Sequence, residues 1–389
     1  MTYLGLDQAA LVERGAYHTA KEITQQPELW MEIYRMIVRR QNEIRDFLEH
    51  TYPSVDAIIL TGAGSSGFLS KTLEGLFFRK TGIPCRAILN TDLVSHPHDY
   101  FHHQSSALLI SFARSGDSPE SCAAVQLADQ LLQKCIHLII TCNSEGVLAN
   151  TATKHPNLLI TLPAQANDQS LAMTSSFTGM LLTGILLTHI YELGPVQEQM
   201  TRLSHYGSKI INENGDLLKS VAALNFKRAV FLGAGPLFGI AMESELKLQE
   251  LTDGKIICKH DSFLGFRHGP KAVIDEDTLV VYIFSNSDYA NQYEKDFMTS
   301  MRKGKKALFE FGIAEYTDPD SELPQLLTLS EETEQLDESF WAIVAVLPAQ
   351  ILGFYKSLEL FLQPDAPSRN GAISRVVEGV SIYPYSIPV

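Results

Sequence analysis

The sequence predicts an α/β protein made of two tandem doubly wound, parallel-sheet domains with an N-terminal helical arm and a C-terminal tail. Three observations predict it. Short apolar, β-branched runs alternate with segments of helical periodicity. Several of those runs are apolar throughout, as strands covered on both faces must be. A run that ends in a glycine turn before a helix occurs twice, at Gly62-Ala63-Gly64 and at Gly233-Ala234-Gly235, so the chain reads as two copies of one unit.

The elements follow in order. Up to about Tyr52, the apolar residues Ile33, Met36, Ile37, Ile44, Phe47 and Leu48 recur at helical spacing between charges. This is an arm (residues 1–52) that packs on a domain or on a second subunit. The first domain (53–195) opens with Ala57–Thr61, the turn Gly62-Ala63-Gly64-Ser65-Ser66-Gly67 and a helix to about Lys80. Ala87–Leu89, Ala107–Phe112, Ile136–Thr141 and Leu158–Leu162 are its later strands, Pro119–Gln133 is a helix, and Met173–Leu193 is a long, mostly buried helix. A helical connector (196–222) leads to the second domain (223–362). There Arg228–Leu232, Leu279–Phe284, Phe309–Ile313 and Leu326–Leu329 are strands, Ala241–Leu251 is helical and Ser339–Phe361 is a final helix. The tail (363–389) carries Pro364, Pro367, Pro384 and Pro388, so it lies over a surface, and its length suits closing a site.

Composition excludes some partners. With 389 residues, 45% hydrophobic and 20% charged, the chain can bury two ordinary cores. A net charge of -14 argues against binding a phosphate backbone, so no nucleic acid is expected as a partner. A small anion is still compatible, because local N–H groups and hydroxyls act within the screening length of about 10 Å. The N-terminal stretch shows no signal-peptide pattern, and Met180–Thr188 is too short and too hydroxyl-dotted to span a bilayer, so no membrane is expected. Cys85, Cys122, Cys135, Cys142 and Cys258 are scattered without CxxC spacing. They read as reduced core residues of a cytoplasmic protein.

The two copies differ in chemistry. The first has hydroxyls after its glycine turn, Ser65 and Ser66, and again in Arg114-Ser115-Gly116-Asp117-Ser118. Both stretches sit where strands give way to helix N-termini, whose N–H groups favour a phosphate. Helix capping alone would also explain Ser65, Ser115 and Ser118. A dinucleotide is not expected, since Asp92, the acidic residue at about the right distance, falls in a loop. The His96-Pro97-His98-Asp99 and His102-His103 stretch lacks a His pair at i, i+4 on a helix, so no metal site is read there.

The second copy carries ionisable groups instead. On the Ala241–Leu251 helix, Glu243, Lys247 and Glu250 fall at i, i+4 and i+7 and share one face. Downstream, Phe266-Arg267-His268-Gly269-Pro270 presents one imidazole on a turn fixed by Gly and Pro. A carboxylate and an imidazole on fixed supports suit proton transfer on a small substrate. Taken alone, motifs this short are also explained by a solvated ion pair and a loop histidine.

Together LTGAGSS, ISFARSGDSPES, AMTSS, MESELKLQEL and FRHGP resemble the sugar isomerase (SIS) domain family of the tandem, flavodoxin-like type. The likeness is to the isomerase half of glucosamine-6-phosphate synthase and, more closely, to the AgaS group of galactosamine-6-phosphate deaminase/isomerases, also called tagatose-6-phosphate ketose/aldose isomerases. The resemblance implies that Ser66, Arg114, Ser115 and Ser118, with Ser65 beside them, hold a 6-phosphate and that Thr174 and Ser175 contact the sugar. It implies Glu250 as the base of a C1/C2 proton shuttle, Lys247 as a site lysine, and His268 as a ring-opening histidine supplied by a neighbouring subunit. A homodimer or higher assembly with shared sites is therefore expected, with no metal and no cofactor.

One departure stands out: the synthase forms an imine through a lysine near its C-terminus, two or three positions after an Arg-Asn pair. Here Arg369-Asn370-Gly371-Ala372-Ile373-Ser374-Arg375 has none. Arg375 cannot replace it, because its guanidinium stays protonated, so it would act as a fixed charge against the substrate. The implied activity is conversion of galactosamine 6-phosphate to tagatose 6-phosphate and ammonia. A glucosamine-6-phosphate deaminase, a plain ketose/aldose isomerase and a non-catalytic sugar-phosphate sensor are the alternatives.

Overall fold

The computed structural model describes residues 1–316, 323, 325–330, 335–377 and 379–386, so Pro388 of the tail lies outside the described residues. The chain divides into two compact units. One comprises Leu29–Asn167, Ser175–Val196 and Ser374–Val389, the other Met1–Glu28, Asp168–Thr174 and Gln197–Ile373.

The chain begins with an element that periodicity does not reveal. β1 (Thr2–Tyr3) pairs antiparallel with β2 (Leu6–Asp7). Leu4 (φ 47°) and Gly5 (φ 71°) make the turn, both in the left-handed region that a two-residue hairpin requires. From Gln8 onward the reading is helical, as Gln8–Glu13, Tyr17–Thr24, Gln26–Arg39 and Gln41–Thr51.

In the unit that starts at Leu29, five strands form one parallel sheet: β3 (Ala57–Thr61), β4 (Cys85–Ala87), β5 (Ser106–Ala113), β6 (Lys134–Thr141) and β7 (Asn157–Thr161). Their order is β4-β3-β5-β6-β7, the doubly wound order in which β3 and β5 flank the point where the winding reverses. Thr61 lies opposite Ser111, and Ala113 opposite Thr141. β4 sits two residues earlier than the expected Ala87–Leu89, because Ile58 and Leu60 pair with Cys85 and Ala87 and the chain turns helical at Asn90. The Ser175–Thr188 helix is buried from Ser175 to Leu187. Its Gly184 is required by packing, since a Cβ there would lie 2.4 Å from Leu73 Cδ1 on the Ser65–Thr81 helix.

The other unit repeats the plan. β8 (Arg228–Leu232), β9 (Ile257–Asp261), β10 (Thr278–Ile283), β11 (Phe309–Tyr316) and β12 (Leu326–Ser330) form a parallel sheet in the order β12-β11-β10-β8-β9. Numbered within its own unit, each sheet runs 2-1-3-4-5, so the fold consists of two tandem doubly wound units. β9 was not foreseen from sequence. It is an edge strand, with Ile257 60% exposed and Lys259, His260 and Asp261 only partly buried, so it carries no apolar run to read.

The final helix is broken in two, Glu338–Ala345 and Leu347–Glu359. Pro348 lacks the N–H that would continue the ladder across the break. This stretch is long and apolar enough to cross a membrane, but it is wholly buried.

Candidate active site

The C-terminal ends of β3 and β5 lie side by side at the reversal point, where ligands of such sheets bind. After β3, Gly64 adopts φ 52° and ψ -126°, a conformation closed to side chains with a Cβ, and this starts the Ser65–Thr81 helix sharply. Gly235 repeats it after β8 with φ 56° and ψ -128°, so the two glycine turns match in geometry as well as position. Ser65 and Ser66 are buried at the helix N-terminus, each 4% exposed.

The loop after β5 is held by hydrogen bonds from both sides. Ser115 Oγ accepts from the Asp117 N–H at 3.2 Å, and the Ser115 carbonyl accepts from Asn143 Nδ2 at 2.9 Å. Ser118 caps the Pro119–Leu131 helix, its Oγ accepting from the Ser121 N–H at 3.3 Å. Asn90 Nδ2 donates to Ser121 Oγ at 2.9 Å and so supports the cap from behind. Loop and helix end therefore offer hydroxyls and N–H groups on a fixed frame, an arrangement suited to one phosphate.

Arg114 is buried in the same loop, and its guanidinium donates to the Arg375 carbonyl. The Arg375 guanidinium in turn donates to Asn167 Oδ1 at 2.7 Å. Further along the tail, the Tyr385 carbonyl accepts from Gln130 Nε2 at 3.3 Å, and its hydroxyl contacts His98. The tail from Ser374 thus runs over this unit, and Arg114 ties the loop to the tail.

On the Pro236–Leu251 helix, Glu243, Lys247 and Glu250 come together. Lys247 Nζ lies 2.7 Å from Glu250 and 3.3 Å from Glu243. Lys247 and Glu243 are fully buried, while the Glu250 side chain is 22% exposed. This is not a solvated pair. Burial alone would depress the Lys247 pKa, but Glu243 and then Glu250 more than offset it, and the ammonium is held above the ordinary lysine value. Glu250 is the member of the trio that reaches solvent.

His268 is exposed on the loop after the Phe263–Phe266 helix. Phe263 and Phe266 anchor that loop in an aromatic cluster with Phe297, and Arg267 extends over the Phe297 ring and pairs with Asp296 at 2.8 Å. Among the described residues no hydrogen bond joins the His268 ring to Glu250.

Thr174 and Ser175 are both fully buried. Asp168 accepts from the Thr174 N–H at 2.8 Å and from its hydroxyl at 3.1 Å. Ser175 begins the Ser175–Thr188 helix.

In the second copy the corresponding loop, after β10, is already filled. The Ser285 N–H donates to the two Glu294 oxygens at 3.3 and 3.1 Å, and the Ser285 hydroxyl donates to Glu338. Asn286 Nδ2 donates to Glu315 at 2.6 Å. Burial, and then the nearby Glu338, push Glu294 up to about 8 although the Ser285 N–H bond lowers it.

The histidine-rich stretch does not gather as a metal site: His98 faces Tyr385, while His102 and His103 face each other. Asp129, Cys135 and His137 do gather, with ligand atoms within 4.8 Å of one another. Yet His137 Nε2 bonds Asp129 at 2.9 Å, whereas Nδ1 faces Cys135 at 4.0 Å. Opposite edges of the ring are used, so the three do not converge on one ion. The geometry is that of a buried histidine, its pKa lowered by burial.

The family model described as SIS domain matches residues 53–190. Over 98% of the chain and 95% of the relative, the sequence is 37% identical to D-galactosamine-6-phosphate deaminase AgaS of Shewanella sp. (strain ANA-3). The chain belongs to the SIS-domain family, in its AgaS group. Solved structures of SIS proteins agree. The tagatose-6-phosphate ketose/aldose isomerase of Escherichia coli superposes with a TM-score of 0.85 at 32% identity, covering 99% of this chain and 100% of that one. A Clostridium novyi NT protein provisionally assigned the same activity superposes with a TM-score of 0.96 at 41% identity, covering 99% and 100%. The SIS model reaches the first copy; the strand order and the Gly235 turn identify the second SIS unit.

Several residues that shape this SIS site carry no signal in the sequence. Asn90, Asn143 and Ser121 act only through the loop they support, and isolated Asn and Ser residues are common everywhere. Glu294, Glu315 and Glu338 are far apart in sequence and meet only once the second sheet has formed.

Proposed function

We propose that this SIS protein is an amino-sugar phosphate deaminase/isomerase that converts galactosamine 6-phosphate and water to tagatose 6-phosphate and ammonia. The AgaS relatives, named for galactosamine-6-phosphate deamination, support the substrate class. The observation that carries the chemistry is the buried Lys247 ammonium between Glu243 and Glu250. A sensor that only held a phosphate would have no use for a fixed, partly exposed carboxylate supported in this way.

In this reading Ser65, Ser66, Ser115 and Ser118, with Arg114, bind the 6-phosphate, and Thr174 and Ser175 contact the sugar. His268 assists opening of the pyranose. Glu250 then removes the C2 proton, which the free C1 aldehyde acidifies, and returns a proton at C1. The enolamine becomes a C2 imine; water adds, and ammonia leaves to give the 2-ketone. The neighbouring ammonium, which donates to its carboxylate at 2.7 Å, keeps Glu250 oriented. Arg375, unable to form an imine, provides a fixed positive charge.

The exposure of His268 supports a homo-oligomer in which this histidine completes a neighbouring chain's site. Five cysteines present as thiols fit work in the cytoplasm, where sugar phosphates are handled. The test is ammonia release from galactosamine 6-phosphate and glucosamine 6-phosphate, with tagatose 6-phosphate offered for isomerisation. Preferred release from the galacto sugar is expected; no reaction with any of the three would overturn the assignment.

A further inference from the structure

The segment Asp168–Thr174 belongs to the same compact unit as Met1–Glu28, and one side chain of that N-terminal stretch grips it. Glu22, on the Tyr17–Thr24 helix, is only 5% exposed. Its Oε1 accepts from the Gln169 N–H at 2.5 Å, and the Ser170 N–H lies 3.3 Å from each oxygen. The Ser170 hydroxyl lies 2.5 Å from Oε2 and 3.2 Å from the Ala172 carbonyl. On the next residue the Leu171 N–H donates to the Asp365 carbonyl at 3.0 Å, and the Asp365 carboxylate accepts from the Thr19 N–H at 2.7 Å. The segment then closes on itself, Asp168 accepting from both the N–H and the hydroxyl of Thr174.

A buried acid is costly unless it does something that an apolar side chain could not. Here it satisfies two consecutive backbone N–H groups in a loop with no secondary structure of its own, and this fixes the path of the chain into Thr174. We propose that Glu22 is a positioning residue for sugar binding, acting through Gln169 and Ser170 to hold Thr174 in place. The proposal rests on the reading of Thr174 as a sugar contact. Burial, and then the Asp168 charge, push the Glu22 carboxyl up to about 8, so the neutral acid prevails at neutral pH. A neutral acid can donate to the Ser170 hydroxyl while accepting from the Gln169 N–H, and a glutamine side chain can do the same.

The experiment compares steady-state kinetics on galactosamine 6-phosphate for the full-length protein and for Glu22→Leu, Glu22→Gln, Thr174→Val and the double variant Glu22→Leu/Thr174→Val. Glu22→Leu should raise KM roughly tenfold or more, about what a lost substrate hydrogen bond costs, with kcat changed by no more than about threefold. Glu22→Gln should restore KM to near the wild-type value, and the double variant should be no worse than Thr174→Val, because both substitutions disable one contact. Wild-type KM in Glu22→Leu, a glutamine variant no better than the leucine one, or effects that multiply in the double variant would each overturn the proposal while Thr174→Val still raises KM. A wild-type KM in Thr174→Val would sink the sugar-contact reading and the proposal with it. Should Glu22→Leu fail to fold, Ser170→Ala removes the hydroxyl part of the grip and leaves both backbone N–H groups on Glu22; it should raise KM severalfold at unchanged kcat, and a wild-type KM in it would overturn the proposal.

Discussion

Lys247 Nζ lies 2.7 Å from the Glu250 carboxylate, three residues further along one helix, with both groups facing the same side. A fully buried ammonium next to a partly exposed carboxylate aims the carboxylate without neutralising it, since Glu243 shares the positive charge.

Glu250→Gln keeps the shape and the link to Lys247 but cannot take a proton. Turnover of galactosamine 6-phosphate should fall by at least 10²–10⁴-fold, the usual contribution of positioned proton transfer. Substrate binding, followed calorimetrically, should change little. Undiminished turnover would remove Glu250 from the chemistry.

If Ser66 and Ser115 hold the phosphate, Ser66→Ala and Ser115→Ala each delete one hydrogen bond to a charged group, worth about 1.5–3 kcal/mol. The dissociation constant should rise roughly tenfold to a hundredfold, with kcat less affected. Two variants with native affinity would place the phosphate elsewhere.

Stability should fall as pH rises, in part because of Glu294. Its carboxyl is pushed up from the ordinary value to about 8, so between about pH 4.5 and 8 the folded state holds a proton that the unfolded chain has released. The favourable term is complete below that window and is lost as pH rises through it, at no more than about 1.4 kcal/mol per pH unit. Urea midpoints from pH 5.5 to 8.5 should therefore decline, and Glu294→Gln should flatten the decline without abolishing it, since Glu22 behaves alike. An unchanged slope in the variant would show that Glu294 is charged in the folded protein.

If His268 completes a neighbouring chain's site, mixing inactive Glu250→Gln chains with inactive His268→Ala chains should restore activity, because some mixed sites receive both intact residues. Verified hetero-oligomers that stay inactive would place both residues in one chain's site.

The alternation of strand and helix, both glycine turns and the serine-rich loops at the helix N-termini were legible in the sequence because each depends on local chemistry. Gly64 and Gly235 had to be glycine, and β3, β5, β6, β8 and β10 had to be apolar on both faces. β9 was not legible, because an edge strand can remain polar. The hairpin of β1 and β2 was too short to show a period. Within the site, the shared face of Glu243, Lys247 and Glu250 followed from helical spacing, whereas its burial did not. Spacing says which side chains are neighbours, not which are covered. Glu22 illustrates the limit: beside Lys21 on an amphipathic helix it has the sequence appearance of a surface residue, yet it is buried and holds the returning Asp168–Thr174 segment.

The carboxylates at the Ser285 loop bear on the arithmetic of ligand binding. In the second copy the loop after β10 is occupied by the chain's own Glu294, with Glu338 and Glu315 crowding the same loop. If the loop after β5 is the phosphate seat, saturation with inorganic phosphate should stop at one equivalent per chain, a figure that equilibrium dialysis reads directly and that a second equivalent would refute. The same copy carries the charged helix on which Glu243, Lys247 and Glu250 meet.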